Sequence, residues 1–342
     1  QAWSRPCYLS SRFTKEKINK MELINKKIIE ITPLAPFNFD ATFHKPAHFE
    51  SGDNRWQPGV RWQTFLFQKE SLGVKFINQG EVENPKIIVE IYSQEKLADK
   101  FVGSFIKEVS YRYNLNLDLG NFYHKFKNDP VLGPIITKWR GLRPGHQDSL
   151  YEYLVIGLML QNCTVNRSIQ MMQVLFEKYG TQLEYDTQKL WCFWLPGGLL
   201  NISEEELRSL KIGYRAKALK KIDDAFSQNI IDENNLRQKD LKTQKEELLK
   251  LYGVGPATVW YLLFDVFHHF DFFDYISPWE QKIYSKLFFN VDPDTPVPVE
   301  KILKWFEQFH PYEQLAVHYI WEDLWWRRKN ESIPWLEKLI RI

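Results

Sequence analysis

Residues 249–267 read L-K-L-Y-G-V-G-P-A-T-V-W-Y-L-L-F-D-V-F. An apolar segment stops at Gly253, Val254 and Gly255 follow, and Pro256 opens a second apolar segment. Glycine on both sides of Val254 permits a turn too tight for a Cβ. Pro256 suits the first position of a helix, where its missing N–H is not needed. The spacing predicts a helix, a tight hairpin and a helix. The amides that open the second helix have no intrahelical partner and can hold an anion such as a phosphate. A bare Gly-x-Gly can equally do no more than join two helices, so the rest of the chain has to decide.

The chain has 342 residues, 44% of them hydrophobic and 15% aromatic. That composition is globular, with enough length for two domains and a large core. No apolar run approaches the roughly 20 residues of a membrane span. The net charge is +2, so a nucleic-acid partner has to be met by a local basic patch. Cys7, Cys163 and Cys192 are scattered. They make neither a disulfide framework nor a zinc site, and an iron–sulfur cluster needs four grouped cysteines. Residues 1–20 are polar, lack an apolar signal core and are expected to form an ill-ordered extension, with Met21 opening the first well-patterned segment.

Working outward, residues 21–115 are expected to form an antiparallel sheet followed by a helix. Residues 37–43 (F-N-F-D-A-T-F) alternate like a strand with one buried face. R-W-Q-T-F-L-F-Q and L-G-V-K-F-I-N sit at hairpin spacing, and I-I-V-E-I-Y is a further strand. Helical spacing begins near residue 94, and residues 116–342 read as a helical domain. Ser149 with Glu152, and Ser203 with Glu206, are spaced as capping boxes. Residues 150–160 are almost wholly apolar, as a helix central to the core would be. Residues 211–221 form a basic turn and helix, and residues 234–244 look like a charged linker. The fold class is therefore mostly α with an N-terminal antiparallel sheet, α+β.

Six stretches now fall in one order: D-P-V-L (129–132), G-L-R-P (141–144), L-M-L-Q-N-C-T-V (158–165), K-I-G-Y-R-A-K (211–217), the hairpin, and P-Y-E-Q-L-A (311–316). In that order they resemble the helix-hairpin-helix (HhH-GPD) DNA glycosylases, in particular the branch of 3-methyladenine and 8-oxoguanine glycosylases. The resemblance covers about residues 30–330. It implies a protein that binds double-stranded DNA, flips a damaged base out of the stack and cuts its N-glycosyl bond in base excision repair. It also implies an intracellular monomer working in the cytoplasm, nucleoid or nucleus, with no membrane partner and no required cofactor.

Carried over residue by residue, the resemblance assigns a phosphate to the amides around Gly253, Val254 and Gly255. It assigns a monovalent cation, K+ or Na+, to the carbonyls of Leu249, Leu251 and Val254. Gln161 and Asn162 fall where relatives fill the gap left by the extruded base; polar residues ending an apolar helix can also be simple caps. Trp260, Tyr261, Val317 and Trp321 match positions lining the base pocket, although aromatics at helical spacing also build cores.

Two departures bear on mechanism. Bifunctional relatives carry a lysine nucleophile two residues after the second hairpin glycine. Ala257 stands there, and no lysine occurs between Lys250 and Lys282. The resemblance then implies a monofunctional hydrolase without lyase activity. Relatives also place an aspartate at the N-cap of the next helix, beside the sugar, and Ser277 occupies that position here. Three readings follow. Asp274 supplies the carboxylate after a loop shift, with Asp271 a weaker competitor. Glu280 supplies it from the first turn, although a capping box would occupy it. Or the protein has lost glycosylase activity and only binds nucleic acid; a glycosidase acting on RNA or a modified nucleoside is a related alternative. Asp274 is the first choice on sequence.

Overall fold

A computed structural model describes residues 19–44 and 51–340. Eight strands occur among them: β1 (Lys20–Glu22), β2 (Asn25–Ile31), β3 (Asn54–Gln57), β4 (Val60–Phe67), β5 (Glu70–Asn78), β6 (Ile87–Ser93), β7 (Thr181–Tyr185) and β8 (Gln188–Cys192). The N-terminal sheet is antiparallel in the order β2-β6-β5-β4-β3. Its alternating faces follow from the sequence: Leu72, Val74 and Phe76 on β5 are fully buried, as are Ile87, Val89 and Ile91 on β6. The helix Asp99–Arg112 covers that face with Val102, Phe105 and Val109.

Three expectations need correction. Residues 37–43 are not a strand. Phe39–Phe43 is a short helix, capped by the Asn38 side chain, which accepts from the Ala41 amide at 3.0 Å. Phe39 and Phe43 stand one turn apart and stack at 4.7 Å, so an i,i+4 pair imitated alternation. Residue 20 is not part of an extension: Lys20 pairs with Gln182 in the sheet β1-β7-β8. The rest of the expected extension, residues 1–18, lies outside the described residues. Residues 234–244 are not simply linker, because helix Leu241–Leu249 begins inside them, capped by Asp240.

The small sheet joins the two expected domains. β1 is parallel to β7, and the β7–β8 hairpin lies against β4. Thr64 Oγ1 donates to the Trp191 carbonyl at 2.7 Å, and Tyr185 Oη to the Gln63 carbonyl at 2.9 Å. Arg143, from G-L-R-P, is fully buried and ties the same seam. Its guanidinium, from the helical domain, donates to carbonyls of the N-terminal domain, Pro36 at 3.2 Å and Asn114 at 3.1 Å among them.

The helical core packs around Leu150–Leu160, where Leu150, Leu154, Val155 and Leu158 are buried. Both halves of its capping box form: the Ser149 amide donates to Glu152 Oε2 at 2.6 Å, and the Glu152 amide to Ser149 Oγ at 3.3 Å. Ser203 caps the Glu206 amide at 3.0 Å. The hairpin helices and the long helix Glu313–Asn330 close the other side.

Candidate functional site

The hairpin forms as its residues dictate. Helix Leu241–Leu249 leads into the turn, Gly255 is the N-cap of helix Pro256–Asp265, and Pro256 takes its first position. Gly253 adopts φ +85°, and a Cβ there would lie 2.8 Å from Ala218 Cβ. This glycine is required by conformation and by space. Gly255 differs. It is extended, with φ −107°, and a Cβ on it would meet no atom within 4 Å. Among the described residues nothing demands a glycine there.

The Gln161–Asn162 turn comes to the same place. Gln161 is the C-cap of Leu150–Leu160, and its Nε2 donates to the Gly253 carbonyl at 2.9 Å. Asn162 is exposed, has φ +51°, and donates to Tyr214 Oη at 3.2 Å. Arg215 Nε donates to the Leu158 carbonyl at 3.0 Å and Arg215 Nη2 to that of Gln161. The motif K-I-G-Y-R-A-K therefore braces this turn from below. Tyr214 itself is 52% exposed. Sequence reading did not single it out, although a tyrosine inside a basic motif was the available signal.

Behind hairpin and turn lies a cleft of about 570 Å³. Trp260, Tyr261, Val317 and Trp321 all line it. Trp260 and Val317 are also packed in the core, whereas Tyr261 is 40% exposed. Among the described residues lining the cleft none is a lysine.

Ser277 caps helix Pro278–Phe289, accepting from the Glu280 amide at 3.2 Å. The return half of the box also forms: the Ser277 amide donates to Glu280 Oε2 at 2.9 Å. The box thus brings a carboxylate back to the N-cap, beside the residue that lacks one. Glu280 Oε1 accepts from Tyr261 Oη at 3.2 Å, and both residues line the cleft. Glu280 is 3% exposed, and burial raises its pKa, opposed by hydrogen bonds from Ser277 and Tyr261. Burial and the neighbouring Glu280 push the Tyr261 hydroxyl well above its usual range.

Asp274 is elsewhere. Its Oδ2 pairs with Lys245 Nζ at 2.9 Å, its side chain is half exposed, and it does not line the cleft. The loop shift expected of it is absent: Asp274 stands at the surface, paired with Lys245 of the first hairpin helix. Asp271 is likewise exposed and not on the cleft wall.

Four further acids on the wall escaped sequence reading, among them the buried Glu322 of helix Glu313–Asn330. Asp265, which ends the second hairpin helix, accepts from Tyr153 Oη at 2.7 Å. Asp53 and Asp148 converge from the sheet and the core helix, and Gln147 Nε2 donates to Asp53 Oδ2 at 3.2 Å. Burial, then the charges of Asp53 and Glu152, pushes Asp148 well above the usual carboxylate range. Only the fold brings these two together.

No known family profile matches the chain. A curated relative, the DNA-3-methyladenine glycosylase of Bacillus subtilis (strain 168), is 22% identical over 184 residues. The match covers 53% of this chain and 61% of that protein, so the chain spans about three fifths of the relative's length. The 3-methyladenine DNA glycosylase of Archaeoglobus fulgidus superposes over 89% of this chain and all of its own (TM-score 0.67, 15% identity). The Clostridium acetobutylicum 8-oxoguanine glycosylase/lyase superposes over 88% and 98% (TM-score 0.65, 20% identity). At these identities the likeness is one of fold. The chain has the helical glycosylase fold with its leading sheet, as the six motifs implied.

Proposed function

We propose that the protein is a monofunctional DNA N-glycosylase. It binds a duplex at the hairpin and the Gln161–Asn162 turn, receives an extruded damaged base in the cleft, and hydrolyses the N-glycosyl bond. The observation that carries this reading is Glu280, whose carboxylate the capping box returns to the Ser277 amide at 2.9 Å inside the cleft. There its charge balances the cationic sugar that forms as the base departs, or takes the proton of the water that adds to C1′. Ala257 at the position of the lyase lysine, and a cleft wall without lysine among the described residues, favour hydrolysis alone. A monovalent cation is assigned to the carbonyls of Leu249, Leu251 and Val254 on the hairpin, of which Leu249 closes the first helix at its negative end.

The direct test is base release from duplexes carrying alkylated, oxidised or deaminated bases. Release of at least one is expected, and Asp274→Asn leaves its rate within about twofold, since that residue acts outside the cleft. No release from any of them sinks the enzyme reading. A second reading, a glycosylase-fold protein that binds nucleic acid without cutting it, is favoured by one feature. Both Glu280 oxygens are already engaged, by Ser277 and Tyr261. It predicts salt-dependent binding without turnover.

Tyr214 offers an independent check on the DNA face. An exposed ring beside Asn162 can stack on a base next to the gap, and such stacking is worth roughly 1–3 kcal/mol. Tyr214→Ala is expected to weaken duplex binding about tenfold without changing its salt slope, because tyrosine releases no counterion. Anisotropy titrations at two salt concentrations measure both. A changed slope, or no change in affinity, removes Tyr214 from the interface.

A further inference from the structure

We propose that the cleft accepts a base enlarged by an aromatic substituent, held on a platform of Trp279, Trp321 and Trp325. This rests on the reading of the cleft as the pocket for an extruded base. The first ground is size. The cleft measures about 570 Å³, within the roughly 300–1,000 Å³ typical of sites for much larger ligands. At the packing density of organic solids, a purine of about ten non-hydrogen atoms fills on the order of a quarter of that space.

The second ground is shape. The rings of Trp279 and Trp321 lie 5.4 Å apart and 15° from parallel. Trp325 stands 6.4 Å from Trp279 at 23° and 6.0 Å from Trp321 at 28°. Two of the three are pinned. Trp279 Nε1 donates to the Leu339 carbonyl at 2.8 Å, and Trp321 Nε1 to Tyr284 Oη at 2.6 Å. All three line the cleft, and Trp279 is 36% exposed. The rings are stacked on one another and Arg328 lies over that of Trp325, so the indole surface left toward the cleft takes a flat apolar ring without demanding a hydrogen-bond pattern. A methyl group is too small to cover it.

Position is the third ground. Trp279 and Glu280 both line the cleft from the first turn of helix Pro278–Phe289, so the platform and the carboxylate share one wall. Leu160, Val165 and Ile169, from the helices flanking the Gln161 turn, add aliphatic surface to the cleft wall. An aromatic group attached to the base therefore finds apolar wall beyond the space the base itself uses.

The test compares N7-methylguanine with N7-benzylguanine. Single-turnover release is measured from duplexes, and binding of the two free bases is followed by tryptophan fluorescence. Benzylated base is expected to be released at least as fast, and as a free base to bind about tenfold tighter. Trp325→Ala costs release and binding of the benzylated base at least fivefold more than of the methylated base, and a melting temperature near that of the parent reports a folded protein. Trp325→Phe keeps a ring and most of the preference. Equal or weaker binding of the benzylated base overturns the platform, as does an equal loss on both bases in Trp325→Ala. If neither base is released while the benzylated one still binds tenfold tighter, base excision fails and the aromatic-ligand assignment stands.

Discussion

Glu280→Gln is expected to slow base release by about 10²- to 10⁴-fold, the usual worth of a positioned acid–base or charge-stabilising group. Duplex binding stays within a few-fold, because Glu280 lines the cleft and not the hairpin turn or the Gln161–Asn162 turn. Glutamine is also a residue that a capping box accepts at this position. Its oxygen can take the Ser277 amide, and its amide can donate to Tyr261 Oη, so the local structure has a replacement for each bond it now makes. The loss is then one of charge. Single-turnover release and anisotropy on the same duplex separate the two effects. A rate within threefold of the parent leaves the reaction to another acid on the wall, with Asp265 the next to replace.

The pH dependence follows from the same burial. The folded pKa of Glu280 is raised, chiefly by desolvation. The ionised form is the active one, so the rate falls on acidification through a pKa above the ordinary glutamate value. Stability moves the other way. Because the folded pKa exceeds the unfolded one, the folded state holds this proton more tightly. The penalty for the buried charge is present above the folded pKa and is relieved as pH falls through it toward the unfolded value. Glu280→Gln removes that penalty, so its melting temperature at neutral pH is not lowered.

What was legible in the sequence was local. The capping boxes at Ser149 and Ser277 are three-residue geometries, and both form as spaced. The Gly-x-Gly turn and Pro256 fixed the hairpin. What failed depended on distance. Asp274 and Glu280 are both acids near the expected site, and only the folded chain separates them: Asp274 pairs at the surface with Lys245, 29 residues away, while Glu280 turns into the cleft. Asp53 and Asp148 reach one cleft only because the sheet packs on the core helix. The β7–β8 hairpin was hidden for another reason. Its turn, Asp186-Thr187, adopts positive φ at both residues without a glycine to announce it.

The two hairpin glycines separate fold from function, and their substitutions should behave oppositely. Gly253→Ala places a Cβ at φ +85°, 2.8 Å from Ala218 Cβ and 3.4 Å from Leu158 Cδ2. Left-handed strain costs about 1–2 kcal/mol and overpacking about 1–3. A destabilisation of roughly 2–4 kcal/mol is expected in urea, together with loss of DNA binding as the turn reshapes. Gly255→Ala meets no atom within 4 Å and keeps an extended backbone. Its stability should stay within about 1 kcal/mol of the parent, since alanine also lowers the entropy of the unfolded chain. If a phosphate approaches that backbone, the added methyl group stands in its path, and duplex affinity falls tenfold or more. A Gly255→Ala protein that is stable and still binds DNA normally would return the hairpin to the role of a connector. A stable protein that has lost its duplex makes Gly255 a residue kept open for the ligand, because nothing among the described residues asks for a glycine there.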